Sequence, residues 1–252
     1  MIEACTQSRV VNGINGPTPL IQLKGMDLVW GFSPDYMHAV LEGVTRQLTE
    51  LWLTCTTGPF YIGAQIREIN ARICKIRPPI GFPRLPRPLT ERALWKASEW
   101  KAFLLFYSLP CLSDILPPQF FRHFSMLSQA VFLLLKEAVT EQDVHASEGL
   151  LTEFVRKCAL LYKEPAATFN VHILLHLPKS VQMLGPLWGT STFPYENKIG
   201  SILRQISASR YVPYQIGERC VMHATLGYLK EAITLPPRLK TLCRQMLHTR
   251  KE

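Results

Sequence analysis

The stretch Thr168–Gly200, TFNVHILLHLPKSVQMLGPLWGTSTFPYENKIG, holds the polar groups around which the rest of the chain is arranged. His172 and His176 are four residues apart among apolar neighbours, and Glu196 follows a Trp-containing turn. The pattern predicts a helix, a turn and a second helix that opens just before a single carboxylate. A glutamate in a first helical turn also suits the helix dipole, so a purely structural role for Glu196 stays open.

The bulk composition indicates a folded globular protein with a basic surface. The 252 residues are 47% hydrophobic and 19% charged, with a formal net charge of +9. That excess favours an anionic partner, nucleic acid first and a membrane surface second. The start, MIEACTQSRVVNG, lacks a signal-peptide core, and no run reaches about 18 apolar residues, so we expect neither secretion nor a membrane span. Seven scattered cysteines without a C-x-x-C pair favour the reducing cytosol or nucleus.

Apolar spacing predicts a mostly α protein with at most one or two strands, and it predicts either a buried strand or an extended segment over 26–32. Ser33 with Pro34, or Asp35, can cap the first long helix. Five prolines in 77–89 exclude a helix there and predict an extended surface segment. An apolar segment over 95–109 ends at Pro110. The predicted helices are 35–55, 64–76, 118–139, 141–163, 170–184, 195–208, 214–233 and 237–248.

Several short motifs occur in a fixed order along the chain. They are Gly16-Pro-Thr-Pro-Leu20, Asp35-Tyr-Met-His38, Leu41-Glu-Gly-Val44, Trp95-Lys-Ala-Ser-Glu-Trp100, Leu105-Phe-Tyr-Ser-Leu-Pro110, Thr168-Phe-Asn-Val-His172 with His176, Gly185-Pro-Leu-Trp188 and Phe193-Pro-Tyr-Glu196. Together they resemble the C-terminal part of a transposase of the CACTA (En/Spm-like) superfamily, which includes transposon-derived host proteins. The resemblance covers about residues 12–230.

The resemblance implies an RNase H-like core in which three acids hold two Mg²⁺ or Mn²⁺ ions and cut DNA. Glu196 matches the third, catalytic acid. Asp35-x-x-His38 matches a motif whose side chains help to orient the metal ligands and do not bind the metal themselves. Capping and packing are the alternative roles of Asp35 and His38. The first two acids would precede residue 1, so the chain resembles a fragment that we expect to be inactive alone.

The same resemblance divides the chain into three parts. We expect an irregular lead-in with a possible core strand over 1–34 and a large α-helical insertion over 35–167, which contains the proline-rich basic stretch 77–89. The C-terminal helical part of a partial RNase H-like core would follow over 168–252.

The histidine pair His172 and His176 has the i, i+4 spacing that lets two imidazoles share a metal ion on one helix face. Ile173 stands where a zinc protease would need glutamate, which excludes that class. In related transposases a histidine pair at this distance from the last acid joins a C-x-x-C pair in a structural zinc site. The cysteine pair is absent here, so two core histidines bonded to backbone remain the alternative.

Basic residues concentrate in two regions, with a net charge of +6 over 62–110 and +7 over 197–252. Such regions can neutralise DNA phosphates, or can be solvated surface. Our candidate DNA contacts are Arg84, Arg87, Lys96, Lys198 and Arg204.

Two hypotheses follow from these residues and from the resemblance. The first is a transposase-derived nuclear protein, whose ancestral reaction is metal-dependent cleavage and joining of transposon ends; its partners would be that DNA and a second copy of the chain. The second is a non-catalytic DNA-binding or protein-interaction module. Nucleotide hydrolase, Rossmann oxidoreductase and α/β-hydrolase motifs do not occur.

Overall fold

The computed structural model describes residues 16, 18–28, 30–82, 84–234 and 236–248, without the side chains of 230, 231 and 244–248. The described chain is mostly helical and contains no strand, which confirms the mostly α prediction. It forms two compact units, Met1–Thr192 and Phe193–Glu252. Both predicted boundaries, after residues 34 and 167, fall inside the first unit.

The helices follow the order that the apolar spacing predicts. The α-helices of the described residues are α1 Arg46–Thr54, α2 Ile66–Lys75, α3 Ala97–Ala102, α4 Ser108–Leu112, α5 Pro118–Leu134, α6 Glu141–Tyr162, α7 Phe169–Ile173, α8 Leu177–Leu184, α9 Phe193–Leu203, α10 Val212–Ala232 and α11 Pro237–His248. Short 3₁₀ turns cover Pro19–Gln22, Gly63–Gln65, Leu89–Leu94, Glu164–Ala166, Leu174–His176 and Leu187–Thr190.

The predicted strand at 26–32 is wrong for the residues described there, which form turns. Asp27 accepts two backbone hydrogen bonds. Trp30 N donates to its side-chain carboxylate at 3.0 Å, and Gly31 N donates to its carbonyl oxygen at 2.8 Å. An aspartate that bonds the backbone a few residues ahead closes a turn and withdraws those groups from a sheet ladder.

The first long helix begins as a π-helix, Met37–Thr45, and continues without a break into α1. A π-helix of this length is rare, because it widens the turn. Here Gly43 permits close packing: a Cβ added to it would lie 2.7 Å from the His38 carbonyl oxygen and 2.8 Å from Asn170 Nδ2. The π-helix therefore packs directly against α7.

A second π-helical segment, Phe103–Tyr107, joins α3 to α4. The apolar segment over 95–109 ends in sequence at Pro110, but the helical structure continues through Pro110 to Leu112. A proline lacks the N–H that an α-helix uses, so Pro110 donates no backbone hydrogen bond within α4.

The core of the first unit lies between α1, α5 and α6. Trp52 packs edge-on against Phe124 at 4.9 Å between ring centroids, and its Nε1 donates to the Tyr162 hydroxyl at 3.2 Å. His123 is also buried there, stacked on Phe154 at 4.1 Å. These large side chains are at most 5% exposed, so the first unit has a densely packed interior.

The proline-rich segment contains no helix over its described residues up to 88, as predicted, and a 3₁₀ turn begins at its last residue, Leu89. Two side chains hold it to the first unit. The Phe82 ring lies 5.3 Å from the Phe106 ring, and Arg87 forms an ion pair with Glu99 at 2.7 Å. Arg87 also donates to the Leu94 carbonyl oxygen at 2.9 Å. The segment is thus a surface strap that is anchored at Phe82 and at Arg87.

The second unit is built differently. None of its described side chains is buried, and large apolar residues such as Tyr214 and Tyr228 are each 71% exposed. Side-chain bonds from Gln215 to Ser207, Ala208 and Arg210 organise the loop between α9 and α10. The described residues of this unit form helices without a buried apolar core.

Candidate functional site

A polar seam joins the segment Ser33–His38 to the end of the first unit. Ser33 Oγ lies 2.9 Å from Ser180 Oγ and donates to Thr190 Oγ1 at 3.0 Å. Further along, Asp35 bonds Thr192, the last residue of the unit. Two segments about 150 residues apart in sequence are thereby held side by side.

Asp35 is the centre of this seam. Its carboxylate accepts from Thr192 N at 3.0 Å, Thr192 Oγ1 at 2.7 Å, His38 N at 3.1 Å and His38 Nδ1 at 2.5 Å. Burial alone would raise the pKa of Asp35, but these hydrogen bonds outweigh it and hold the pKa below its ordinary value. Asp35 is therefore an ionised anchor, and it makes the bond to His38 N that an N-cap makes.

The neighbouring Tyr36 adds a buried hydrogen bond, with Ser191, to the same seam. It is 1% exposed, and burial raises the pKa of its hydroxyl to about 12 although a hydrogen bond with Ser191 opposes that rise. The hydroxyl thus stays protonated at neutral pH. Tyr36, Asp35 and Ser33 each contact a different residue near the end of the first unit.

His172 and His176 are brought together as their spacing predicts, although a 3₁₀ turn replaces the continuous helix. Their Nε2 atoms are 3.4 Å apart, and the Trp30 ring lies 5.1 Å from the His176 ring. Two nitrogens bound at about 2.05 Å to one tetrahedral zinc ion would be about 3.4 Å apart. The same 3.4 Å separation also suits a hydrogen bond between the two imidazoles, so the distance is compatible with a shared zinc ion and with a direct contact.

Glu196 lies in the first turn of α9, in the second unit, and its side chain is exposed. Asp35 and His38 lie in the first unit, where Asp35 holds Thr192, four residues before Glu196 in the sequence. Across the described residues, no group of three or more His, Cys, Asp or Glu side chains is arranged to hold a metal ion.

The candidate DNA contacts fall into two classes. Arg84 and Lys96 are exposed on the first unit, whereas Arg87 is engaged with Glu99 in the ion pair that anchors the strap. Lys198 and Arg204 are exposed on the second unit.

Among the described residues, no helix has the length and apolar character that a membrane span requires.

Sequence reasoning missed Thr192, Ser191 and Ser33 as members of the seam. The run Thr190-Ser-Thr192 before a predicted helix is a capping signal, and it could have drawn attention to these hydroxyls. Their partners could not be found in the same way, because the seam pairs residues from opposite ends of the first unit.

Comparison with known proteins adds no relative from which a role could be transferred. No family model, no curated protein and no solved structure matches the chain.

Proposed function

We propose that this chain is a DNA-binding protein of transposase ancestry that holds the DNA backbone through its second unit. Its action would be nuclear, and it would not cleave DNA by itself. Two-metal cleavage needs several carboxylates converging on the metal ions, and Glu196 is the one acid of that set that the family resemblance assigns to this chain.

The proposal rests on the excess of Lys and Arg in the second unit and on the absence, among the described residues, of ion pairs to the exposed ones. Residues 193–252 contain ten Lys or Arg and four Asp or Glu, a net charge of +6, which leaves +3 for residues 1–192. No carboxylate of the described residues lies within ion-pair distance of the exposed cations there. Those cations are Lys198, Arg204, Arg210, Arg219, Arg238 and Lys240.

Several arginines of the first unit are already paired, although Arg84 and Lys96 there are exposed. Arg72, Arg92 and Arg156 each bond a carboxylate within the unit, as Arg87 does. An arginine that is already paired gains less from a phosphate, because it must first lose its carboxylate partner. When an unpaired cation contacts a DNA phosphate, it displaces a counterion that was condensed on the DNA. The release of these counterions drives sequence-independent DNA binding.

The ancestry rests on the order of the sequence motifs, and the polar seam is consistent with it. The resemblance gives Asp35-x-x-His38 a supporting role beside the last acid, and Asp35 holds the chain four residues before Glu196. On this proposal the helices of the chain derive from the insertion and the C-terminal part of an RNase H-like core.

Fluorescence anisotropy with a labelled 30-base-pair duplex of arbitrary sequence tests the DNA-binding proposal between 50 and 300 mM KCl. The variant Lys198→Gln/Arg204→Gln/Arg219→Gln should bind more weakly and should reduce the slope of log K against log salt by up to about 3, at about 0.9 for each phosphate contact. These side chains are exposed, so the helical circular dichroism should not change.

The matched control is Arg156→Gln/Lys157→Gln, which removes two cations that share Glu153 in the first unit. Its salt slope should equal that of the wild type. An unchanged slope in the triple variant would place DNA contacts elsewhere. Absence of wild-type binding at 50 mM KCl would reject DNA binding and favour the alternative, a protein-interaction module that uses exposed apolar side chains such as Tyr228.

A second role is favoured by the His172 and His176 geometry: we propose that this pair supplies two of the four ligands of a structural zinc ion. Zinc analysis after dialysis against trace-metal-free buffer should find the metal in the wild type and lose it in His172→Ala. The control His145→Ala removes a histidine that is 84% exposed, and it should retain the zinc. A metal-free wild-type protein, reconstituted with excess Zn²⁺ without uptake, would exclude this site.

A further inference from the structure

The loop between α9 and α10 carries a serine in the sequence context of a kinase substrate. This loop runs from Arg204 to Tyr211 without regular helix, and its residues from Ser207 onward are exposed. The sequence Arg204-Gln-Ile-Ser207 places a cation three residues before a hydroxyl. Basophilic serine/threonine kinases select such a cation, because carboxylates line the groove that receives the residues before the acceptor.

The same spacing, arginine three residues before a serine or threonine, occurs elsewhere in the chain, and the structure separates Ser207 from the other matches. The acceptor hydroxyls at this spacing belong to Thr49, Thr90, Ser125, Ser207 and Thr241. All but Ser207 lie in helical segments, namely α1, the 3₁₀ turn that begins at Leu89, α5 and α11. An enzyme that acts on an extended segment finds it in exposed loops and would have to unfold a helix to reach the others. Thr49 is also only 1% exposed.

The loop can open to enter such a groove at little cost. The side chain of Gln215 holds it, since Oε1 accepts from Ser207 N at 2.9 Å and from Ser207 Oγ at 3.3 Å. Gln215 Nε2 donates to the carbonyl oxygens of Ala208 and Arg210 at 2.9 and 2.6 Å. These bonds lie at exposed surface, and none of the loop residues is buried. Segments held by exposed hydrogen bonds without buried apolar contacts are among the first to open in a folded protein.

A phosphate on Ser207 would lie close to two cations that the DNA-binding proposal uses. Arg204 and Arg210 are each three residues from Ser207, so their Cα atoms are at most about 11 Å from that of Ser207. The Debye length at 0.1 M salt is about 10 Å, so both cations experience the phosphate. A phosphoserine carries a charge of about −1.5 to −2 at pH 7, enough to offset up to two of the exposed cations.

We propose that Ser207 is a phosphorylation site whose modification weakens DNA binding by the second unit; this regulatory effect rests on the DNA-binding function proposed above. In the kinase, the Ser207 hydroxyl oxygen attacks the γ-phosphorus of ATP. The new O–P bond forms as the bond from that phosphorus to the β–γ bridging oxygen breaks, ADP leaves, and the hydroxyl proton passes to the catalytic carboxylate of the kinase. The phosphate then repels the DNA backbone and competes with it for Arg204 and Arg210.

Treatment of the full chain with a calmodulin-dependent protein kinase, ATP and Mg²⁺, followed by mass analysis and peptide mapping, tests the site. One phosphoryl group should be added, on Ser207. Ser207→Ala should lose it, and the control Ser209→Ala, which removes a neighbouring exposed hydroxyl, should retain it. Arg204→Gln should slow the modification at least about fivefold, whereas Arg210→Gln, after the acceptor, should stay within about twofold of the wild-type rate. Modification of a different residue, or an unchanged rate in Arg204→Gln, overturns the assignment.

Anisotropy with the 30-base-pair duplex then compares the protein before and after modification. The phosphorylated protein should bind at least about tenfold more weakly at about 100 mM KCl, and its salt slope should be lower by up to about 2. Ser207→Ala treated in the same way should bind as the untreated wild type does. Unchanged affinity after full modification overturns the regulatory effect and leaves the DNA-binding proposal intact. Absence of binding by the untreated protein rejects DNA binding and its regulation together, and the mass analysis still decides the site.

Discussion

Acidification should destabilise the protein through His123, a residue of the core. This imidazole is 1% exposed and stacks on Phe154, and its Nε2 lies 2.8 Å from the Phe154 carbonyl oxygen. Burial lowers the pKa of His123 from 6.5 to about 4, although the bond to that carbonyl opposes the shift. The folded protein thus excludes a proton that the unfolded chain binds readily.

The sign and size of the effect follow from proton linkage. Between pH 6.5 and pH 4 the unfolded state binds the additional proton, so the free energy of unfolding falls as the pH is lowered. From pH 7.5 to pH 5.0 the loss from this one group is about 2 kcal/mol, and it approaches about 3 kcal/mol below pH 4. Above about pH 7.5 the unfolded chain also leaves this imidazole neutral, so the group no longer affects the pH dependence.

Urea unfolding at several pH values compares the wild type with His123→Gln, which retains an N–H donor and cannot be protonated in this range. The variant should be less stable at pH 7.5, because it loses the ring stacking, but its stability should fall by about 2 kcal/mol less on reaching pH 5.0. The control His145→Gln removes an exposed histidine, and its curve should follow the wild type. If His123→Gln shows the full wild-type fall, another group causes the pH dependence.

Two further perturbations address the seam and the π-helix. In a double-mutant cycle of Asp35→Asn and Thr192→Val, urea unfolding at pH 7 should give a coupling energy of about 1–3 kcal/mol, and additive effects would show that the bonds of the seam contribute no stability. Gly43→Ala should destabilise the protein by about 1–3 kcal/mol in the same assay, because the new methyl group meets backbone and amide atoms. Gly149→Ala, on α6 with open space around it, should instead be neutral or stabilising by up to about 1 kcal/mol, and similar results for the two would contradict the packing described at Gly43.

Much of the helix prediction followed from residues that are close together in the sequence. The predicted start after Thr140 is confirmed, since Thr140 Oγ1 accepts from Asp143 N and the Asp143 carboxylate accepts from Thr140 N. This capping box involves residues three apart, so the sequence contains both partners. The spacing of His172 and His176 predicted their proximity for the same reason.

Other features depend on contacts that no local pattern encodes. An apolar stripe with helical spacing does not distinguish a π-helix from an α-helix, so Met37–Thr45 was predicted only as helix. The partners of Asp35 and Ser33 lie about 150 residues away. The Arg87–Glu99 ion pair depends on how the strap lies against α3, which its proline content does not specify.

The described part of residues 193–248 has no buried side chains, so substitutions there should affect folding little. A core substitution in the first unit lowers the folded fraction, and cells respond by degrading the protein. Substitutions among exposed residues of the second unit leave that fraction nearly unchanged. Variants of the second unit should therefore accumulate to normal abundance even when they have lost the DNA binding that we propose for it, so a screen that scores protein level alone would pass over them.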